Sequence, residues 1–278
     1  MNRSEDIQTA KQHIREITLQ KRDAISFVDR LERSAIVCER IGELLRDKLP
    51  DILTDEVMSS PTSIPTPELP FMRPYNPPEE AKRWQSSGIG TEAASSNTDD
   101  QPLACNAGQE WMFEPQSTRP EDEKPVLALY SSMKSEVDLS ELAHGAFAHE
   151  WRVCFPAMVR DPENPSDKRM EFFEVTWAQL KALVDSFLSH QLRVYTVEEL
   201  ESAGFPHILP DQITAIVVPL VAFDDQNRRL GYGGGNYDRY LSKLNKDTVI
   251  IGAAFDEQQV DAIPVDQHDL PLENIVHA

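Results

Sequence analysis

GYGGGNYDRYL occupies residues 231–241 and follows an apolar run, VVPLVAF, at residues 217–223. Four of the chain's 11 glycines fall within five of these residues. Such a cluster costs backbone entropy unless something must approach the main chain closely, and converging N–H groups favour an anion. After the glycines Tyr237, Leu241 and Leu244 follow helical spacing. The segment therefore predicts a phosphate-binding loop between a buried strand and a helix, and a glycine-rich turn between two strands is the alternative.

Common phosphate-loop patterns do not fit this segment. It lacks the G-x-x-x-x-G-K-[ST] of a Walker A loop, and Asn236 stands where G-x-G-x-x-G requires its third glycine. No V-A-I-K or H-R-D sequence follows, which argues against a protein kinase. The chain also has no G-x-S-x-G signature and no cluster of Cys and His suited to zinc.

The segment resembles the hallmark of the 5-formyltetrahydrofolate cyclo-ligases, also called methenyltetrahydrofolate synthetases. In that family a strand containing Pro and ending in Phe-Asp precedes a turn and then R-L-G-x-G-x-G-Y-Y-D-x-x-L. Here the pattern comprises Pro219, Phe223, Asp224 and residues 229–241, with Asn236 in place of the first tyrosine. The resemblance implies ATP-dependent closure of 5-formyltetrahydrofolate to 5,10-methenyltetrahydrofolate, with release of ADP and phosphate.

Two cations near the N-terminus, Lys11 and Arg15, are four residues apart and share a helical face. Spacing alone favours a solvated basic face. The family resemblance implies instead that the pair reaches the phosphates of ATP. The nucleotide-binding residues expected from it are Lys11, Arg15, Arg229, Leu230, Gly231, Tyr232, Gly233, Gly234, Gly235, Asn236 and Tyr237.

Catalysis and metal binding are expected from a few of the same side chains. Lys11, Arg229 and Asp238 are the candidate catalytic residues. Asp238 and Asp269 are the candidate ligands of Mg²⁺, because this ion typically uses one or two carboxylates together with phosphate oxygens and water.

Glu136 follows the end of a predicted strand, where open α/β sheets place ligands. A glutamate in a first helical turn is otherwise explained by compensation of the helix dipole. In the cyclo-ligases a glutamate within a comparable strand, loop and helix binds the folate, so the resemblance assigns that role to Glu136. It also implies Ser131, Met170, Asn236 and Tyr237 as substrate-binding residues, although Met170 equally fits core packing.

Beyond residue 125 short apolar strands alternate with amphipathic helices, which is typical of βαβ units. The pattern predicts a three-layer α/β/α fold with a mostly parallel, Rossmann-like open central sheet. The single catalytic domain is expected to comprise N-terminal helices at 1–54 and the remainder at 125–278. Between them, 55–124 is a proline- and serine-rich acidic insertion, expected to be disordered. The predicted strands are 126–130, 151–159, 170–175, 213–223, 248–255 and 274–276, and the predicted helices are 5–48 in one or two pieces, 139–147, 177–188 and the residues after 236.

Length, charge and cysteine content narrow the class of protein. The formal charge of −20 over 278 residues argues against a nucleic-acid partner. No apolar run approaches the roughly 18 residues of a membrane span, and the first residues lack the apolar stretch of a secretory signal. Three cysteines without metal-like spacing predict reduced thiols. Together with the family resemblance, which implies a small reduced folate as substrate, these features lead us to expect a cytoplasmic monomer or weak dimer that binds neither nucleic acid nor membrane.

Three features depart from the family pattern: Asn236, the absence of a Glu-Pro dipeptide in 177–209, and the long insertion. They keep two alternative functions open. One is a nucleotide- or pterin-binding paralogue that has lost turnover and acts as a regulatory or interaction protein. The other is an ATP-dependent kinase or ligase for a different small molecule.

Overall fold

The computed structural model describes residues 3–50, 124–161, 163–164, 166–182, 186–191, 193–264 and 271–278. All of them belong to one compact unit, which is formed by residues 1–63 together with 117–278. The predicted insertion at 55–124 lies outside the described residues except for Lys124, and so does Asp269. The expectations for the insertion and for Asp269 therefore stay predictions.

The N-terminal region forms two helices, α1 (Arg3–Asp23) and α2 (Phe27–Lys48). They are separated at Ser26, whose hydroxyl accepts a hydrogen bond at 3.1 Å from the backbone N–H of Asp29 and so caps α2. The apolar stripe of α2 is buried at Val37, Ile41 and Leu45. Since these side chains pack with residues of the central sheet, α2 is anchored by its buried face rather than by helix propensity.

The central sheet follows the predicted alternation of strands and helices. Its strands are β1 (Val126–Ala128), β2 (Arg152–Arg160), β3 (Lys168–Glu174), β4 (Val194–Tyr195), β5 (His207–Ile208), β6 (Ala215–Pro219), β9 (Val249–Ala254) and β10 (Asn274–His277). A separate hairpin contains β7 (Ala222–Phe223) and β8 (Arg229–Leu230). The helices that follow α2 are α3 (Ser140–Ala148), α4 (Trp177–Ala182), α5 (Val197–Ser202) and α6 (Asn236–Leu241).

The strand order is β10-β9-β6-β1-β2-β3-β5, and β4 pairs with β2. The pairs from β10 to β2 are parallel, whereas β3 is antiparallel to both of its neighbours. Alternate residues of each strand enter two different apolar clusters. Leu127 packs in the cluster that contains α2, and Ala128 packs with Tyr240 of α6. Helices thus cover both faces, and the predicted three-layer fold with a mostly parallel sheet is confirmed.

Two predicted elements are shorter in the structure. The strand predicted over 213–223 leaves the sheet after Pro219, because Val221 then donates its N–H to the Leu230 carbonyl at 2.7 Å and joins the hairpin instead. The helix predicted over 177–188 has the bounds of α4. Phe187 and Leu188 lie in a turn beyond it, where they are nevertheless buried.

Gly252, in the middle of β9, is expected to be intolerant of a side chain. A Cβ atom there would lie 2.8 Å from Cδ1 of Leu272 and 2.9 Å from Cδ2 of Leu220. Overpacking of this kind usually costs about 1–3 kcal/mol, and we expect Gly252→Ala to lower the free energy of unfolding by that amount in urea titrations. Gly42→Ala is the control, since a Cβ at that helical position meets no described heavy atom within 4 Å. It should leave stability unchanged or raise it by up to about 1 kcal/mol. Equal midpoints for the two variants would contradict the packing argument.

Candidate functional site

The main cavity lies where the strand order reverses. From β1 the chain proceeds outward to β2 on one side, whereas the strand on the other side, β6, comes much later in the chain. Loops that leave the carboxyl ends of β1 and β6 diverge at such a point and open a crevice in which α/β sheets bind ligands. The cavity has a volume of about 470 Å³, and residues from both loops and from α1 line it.

Nearly all of the predicted site residues meet in this cavity, although they come from distant parts of the chain. Of that set, Asp269 alone is missing, and it lies outside the described residues. The predicted residues that line the cavity are Lys11, Arg15, Ser131, Glu136, Met170, Arg229, Leu230, Gly231, Tyr232, Gly233, Gly234, Gly235, Asn236, Tyr237 and Asp238.

Helix α1 brings two cations to the glycine loop, residues 231–235. Lys11 is only 5% exposed, which is unusual for a lysine on a solvated face. The Nε of Arg15 donates a hydrogen bond to the carbonyl of Gly231 at 2.8 Å, and a Cβ at Gly233 would lie 3.4 Å from Arg15 Nη2. The interpretation of this helical face as merely solvated is therefore wrong, because both cations line the cavity.

The glycine loop connects β8 to α6 and is not a turn between two strands. Gly233 has φ +98° and Gly235 has φ +62°, backbone conformations that a side chain would strain. Within the described part of the chain, no backbone N–H from Gly231 to Gly235 donates a hydrogen bond. Because a main-chain donor needs an acceptor from water or from a ligand, the loop offers several donors to an anion in the cavity.

Arg229 stands at the start of this loop as a buried cation. Its side chain is 4% exposed, and its Nη2 donates a hydrogen bond to Asp238 in the first turn of α6. The Nε of Arg229 is buried and has no hydrogen-bond partner among the described residues. A buried guanidinium with an unused donor fits a site that receives an anion.

Glu136 lies in the segment after β1 and lines the same cavity. It is 7% exposed, and its carboxylate accepts hydrogen bonds from the Tyr232 hydroxyl at 2.6 Å and from the backbone N–H of Met133 at 2.8 Å. Burial raises the pKa of Glu136 above its usual value, whereas these two hydrogen bonds and the nearby guanidinium of Arg22 act to lower that pKa. Tyr130, at the end of the same strand, donates to the Val137 carbonyl at 3.0 Å and fixes this segment.

The cavity also contains residues that the sequence patterns did not indicate. Gln191 donates a hydrogen bond to the Ser131 hydroxyl at 2.6 Å, although it comes from a turn with no recognisable motif. Met158 lies on β2 and reads as an ordinary core residue in the sequence. The cavity-lining residues missed in this way are Gln8, Tyr130, Met133, Pro156, Ala157, Met158 and Gln191.

Comparison with known proteins identifies the family to which this architecture belongs. A family model described as the 5-formyltetrahydrofolate cyclo-ligase family matches residues 116–278. The chain belongs to this family. A curated 5-formyltetrahydrofolate cyclo-ligase of Haemophilus influenzae is 29% identical over 153 residues, which are 54% of this chain and 74% of that protein. The mouse cyclo-ligase is 26% identical over 159 residues, covering 54% of this chain and 72% of the mouse protein.

A solved structure supports this fold. The 5,10-methenyltetrahydrofolate synthetase of Mycoplasma pneumoniae superposes with a TM-score of 0.52 and 18% identity, covering 96% of this chain and 97% of that chain. In the described part of this chain, no helix is long and apolar enough to cross a membrane.

Asn236, the visible departure from the family pattern, is held in place by its neighbours. Arg239 donates a hydrogen bond to the Asn236 side-chain oxygen at 2.6 Å and another to the Gly234 carbonyl at 3.0 Å. The Asn236 Nδ2 lies 3.8 Å from the sulfur of Met158, at the cavity wall. The substitution therefore places an amide, oriented by Arg239, where the family pattern has a phenol.

Proposed function

We propose that this protein converts 5-formyltetrahydrofolate to 5,10-methenyltetrahydrofolate with hydrolysis of ATP to ADP and phosphate. Membership of the family supports the reaction. The cavity is the observation that supports roles for particular residues in this reaction. Its lining combines the cations Lys11, Arg15 and Arg229 with Glu136 and the glycine loop, whose N–H groups have no acceptor among the described residues. One cavity therefore combines donors for phosphate with an acceptor for a pterin.

The reaction requires activation of a poor leaving oxygen. The formyl oxygen of the folate attacks the terminal phosphate of ATP, and ADP departs. The neighbouring folate nitrogen then adds to the formyl carbon, and the phosphorylated oxygen leaves as inorganic phosphate. Neither step needs a covalent bond to the protein, so the protein acts by positioning the two substrates and by stabilising negative charge.

The residues around the glycine loop bind the nucleotide. Lys11 and Arg15 project from one face of α1 and bind phosphate oxygens. Arg229, a buried cation on the cavity wall, stabilises the charge that develops on the transferred group. The N–H groups of 231–235 bind the same phosphates, because they lack acceptors in the described part of the chain.

Other lining residues bind the folate. Glu136 accepts hydrogen bonds from N–H donors of the pterin, and the half-buried Tyr237 lines the same cavity. Burial raises the pKa of Tyr237 well above its usual value, so its hydroxyl stays neutral at physiological pH. Met170 and Asn236 extend the wall of the folate site, and Ser131 lies at its rim beside Gln191.

Magnesium fits this arrangement through Asp238. The carboxylate of Asp238 lines the cavity with 43% of its side chain exposed, which leaves an oxygen accessible beside the proposed phosphate site. The described residues contain no group of three or more Asp, Glu, His or Cys suited to a metal. A site with one or two protein carboxylates and phosphate oxygens is the usual arrangement for this ion. When bound, magnesium offsets charge on the phosphates, with Asp238 and Asp269 as its proposed protein ligands.

Asp238→Asn is expected to lower turnover by about 100-fold, since the amide is a weaker ligand for magnesium and leaves Arg229 without its charged partner. The measurement is a magnesium titration of activity at fixed ATP, in which the variant should require more Mg²⁺ than the wild type. Asp225→Asn, in the exposed turn before Arg229, is the control for the same change of charge. An Asp238→Asn variant with the wild-type magnesium dependence would remove Asp238 from the metal site.

The direct test of the function mixes the purified protein with 5-formyltetrahydrofolate and Mg-ATP, and follows the near-ultraviolet absorbance of the methenyl product. Product formation that depends on ATP supports the proposal. ATP binding without product would favour a paralogue that has lost turnover. ATP consumption only with another acceptor would favour a different kinase or ligase.

We also propose a cytoplasmic location, supported by the free thiols of Cys38 and Cys154.

A further inference from the structure

The main chain and the side chain of Tyr232 make contacts in different parts of the site. Its main chain belongs to the proposed phosphate cradle, but its hydroxyl donates a hydrogen bond to Oε1 of Glu136 at 2.6 Å. The same hydroxyl accepts a hydrogen bond from Nη2 of Arg22 at 2.8 Å. A phenolic hydroxyl has only one proton to donate. Because the Tyr232 hydroxyl donates that proton to Glu136 and accepts from Arg22, the direction of both hydrogen bonds is fixed.

Arg22 is the fixed end of this chain of hydrogen bonds. It lies in the last turn of α1, is 2% exposed, and also donates from Nε to the Ser135 hydroxyl at 3.1 Å. Ser135 in turn donates to Asp23, the next residue of α1. One helix turn thus contacts both Tyr232 and the residue directly before Glu136. Burying a guanidinium is costly unless it has partners of this kind, so its placement indicates a constrained geometry.

We propose that the side chain of Tyr232 is a positioning residue for the folate, acting through Glu136 and anchored by Arg22, although its main chain serves ATP. This inference rests on the proposed function. A carboxylate has about four acceptor positions. Tyr232 takes one and the Met133 N–H takes another, one on each oxygen. The carboxylate is thereby held in one orientation, and its remaining positions face incoming N–H donors of the pterin.

Removal of the Tyr232 hydroxyl should therefore affect the folate and not the nucleotide. Tyr232→Phe keeps the ring and the loop backbone, so the N–H groups of 231–235 and the contact of Arg15 with the Gly231 carbonyl are retained. Glu136 loses one of its two orienting hydrogen bonds. We expect the Kd and KM for 5-formyltetrahydrofolate to rise by about tenfold, which corresponds to one hydrogen bond to a charged group, with KM for ATP changed by less than about twofold.

A second readout is the pH dependence of folate binding. The ionisable groups near Glu136 are Arg22, Tyr232, Tyr130 and Tyr237. The hydrogen bond from Tyr232 lowers the pKa of Glu136 against the dominant effect of burial, so its loss raises that pKa further. Folate affinity, which needs the carboxylate, should then begin to fall at a higher pH in Tyr232→Phe than in the wild type as the solution is acidified. Loss of a residue with a purely structural role would not shift the pH at which folate affinity begins to fall.

The experiment measures folate Kd by intrinsic fluorescence, KM for both substrates, and thermal midpoints for wild type, Tyr232→Phe and Tyr195→Phe. Tyr195 on β4 does not line the cavity and is the matched control for loss of a phenolic hydroxyl. A folate-specific loss in Tyr232→Phe alone, with its midpoint retained, supports the inference. An unchanged folate Kd, or a loss confined to ATP, contradicts it.

The wild-type arm separates this inference from the function on which it rests. Wild-type protein that neither binds nor converts the folate would contradict the proposed function, and the inference with it. Wild-type protein that does both, beside a Tyr232→Phe variant indistinguishable from it, would contradict the inference alone. If Tyr232→Phe melts early, Arg22→Lys provides the second variant, because a lysine cannot contact Tyr232 and Ser135 with a planar fork. The same folate-specific loss is expected from it.

Discussion

Arg229→Gln is expected to lower kcat by about 1,000-fold, since an arginine that stabilises the transferred phosphoryl group commonly contributes a factor of this size. Arg229 is suited to that role because it is a buried cation on the cavity wall, with its Nε unpaired among the described residues. Glutamine keeps a polar end but is shorter and carries no charge. The effect should fall mainly on kcat, since the charge to be stabilised is greatest in the transition state.

Arg228→Gln is the matched control for this experiment. The neighbouring arginine makes the same change in net charge, but its Nε pairs with Asp224 at 2.6 Å and it does not line the cavity. Asp224 retains hydrogen bonds from the N–H groups of Gln226 and Ile263, so the turn should persist. We expect kcat of Arg228→Gln within about threefold of the wild type, because Arg228 lies outside the cavity and the remaining hydrogen bonds hold Asp224 in the turn. Equal kcat values for the two variants would exclude a specific role for Arg229.

Glu136→Gln is expected to lower kcat/KM for 5-formyltetrahydrofolate by about 100-fold, through the loss of charge-assisted hydrogen bonds to the pterin. An amide also presents two donors where the carboxylate only accepts, and these face the donors of the substrate. Steady-state rates at varied folate concentration measure the change. Glu141→Gln, at an exposed position in the first turn of α3, is the control and should leave kcat/KM unchanged.

Glu136→Gln should not be less stable than the wild type at neutral pH. Burial raises the pKa of Glu136 in the folded protein, so the folded state favours the protonated form relative to the unfolded chain. That preference stabilises the protein at pH values below the unfolded pKa, and it is lost as pH rises through the higher folded value. A neutral glutamine avoids the cost of the buried charge. We expect the thermal midpoint of Glu136→Gln at pH 7 to equal or exceed that of the wild type. A clear fall would contradict the interpretation that the buried charge of Glu136 serves binding at a cost in stability.

Local sequence patterns predicted the longer elements of the fold but not the short strands β4, β5 and β8 or the helix α5. The apolar strands and the helical spacing after Gly235 predicted a mostly parallel sheet and the loop that enters α6. Those patterns work because burial fixes side-chain periodicity along a strand or a helix. They failed where backbone hydrogen bonding changes partners over a few residues, as it does at Pro219, where the chain leaves the sheet for the hairpin.

The sequence by itself determined the family, the glycine loop and the residue types that the chemistry requires. Short stretches of contiguous residues, such as 229–241, are sufficient to recognise these features. Only the tertiary structure decided which side chains meet. Lys11 of α1 and Glu136 of the segment after β1 line one cavity, at the place where the strand order reverses between β1 and β6. The tertiary structure also separated the two parts of Tyr232, whose backbone lies in the loop and whose hydroxyl contacts Glu136 at 2.6 Å. The direction of a side chain depends on packing between distant segments, and no local pattern encodes it.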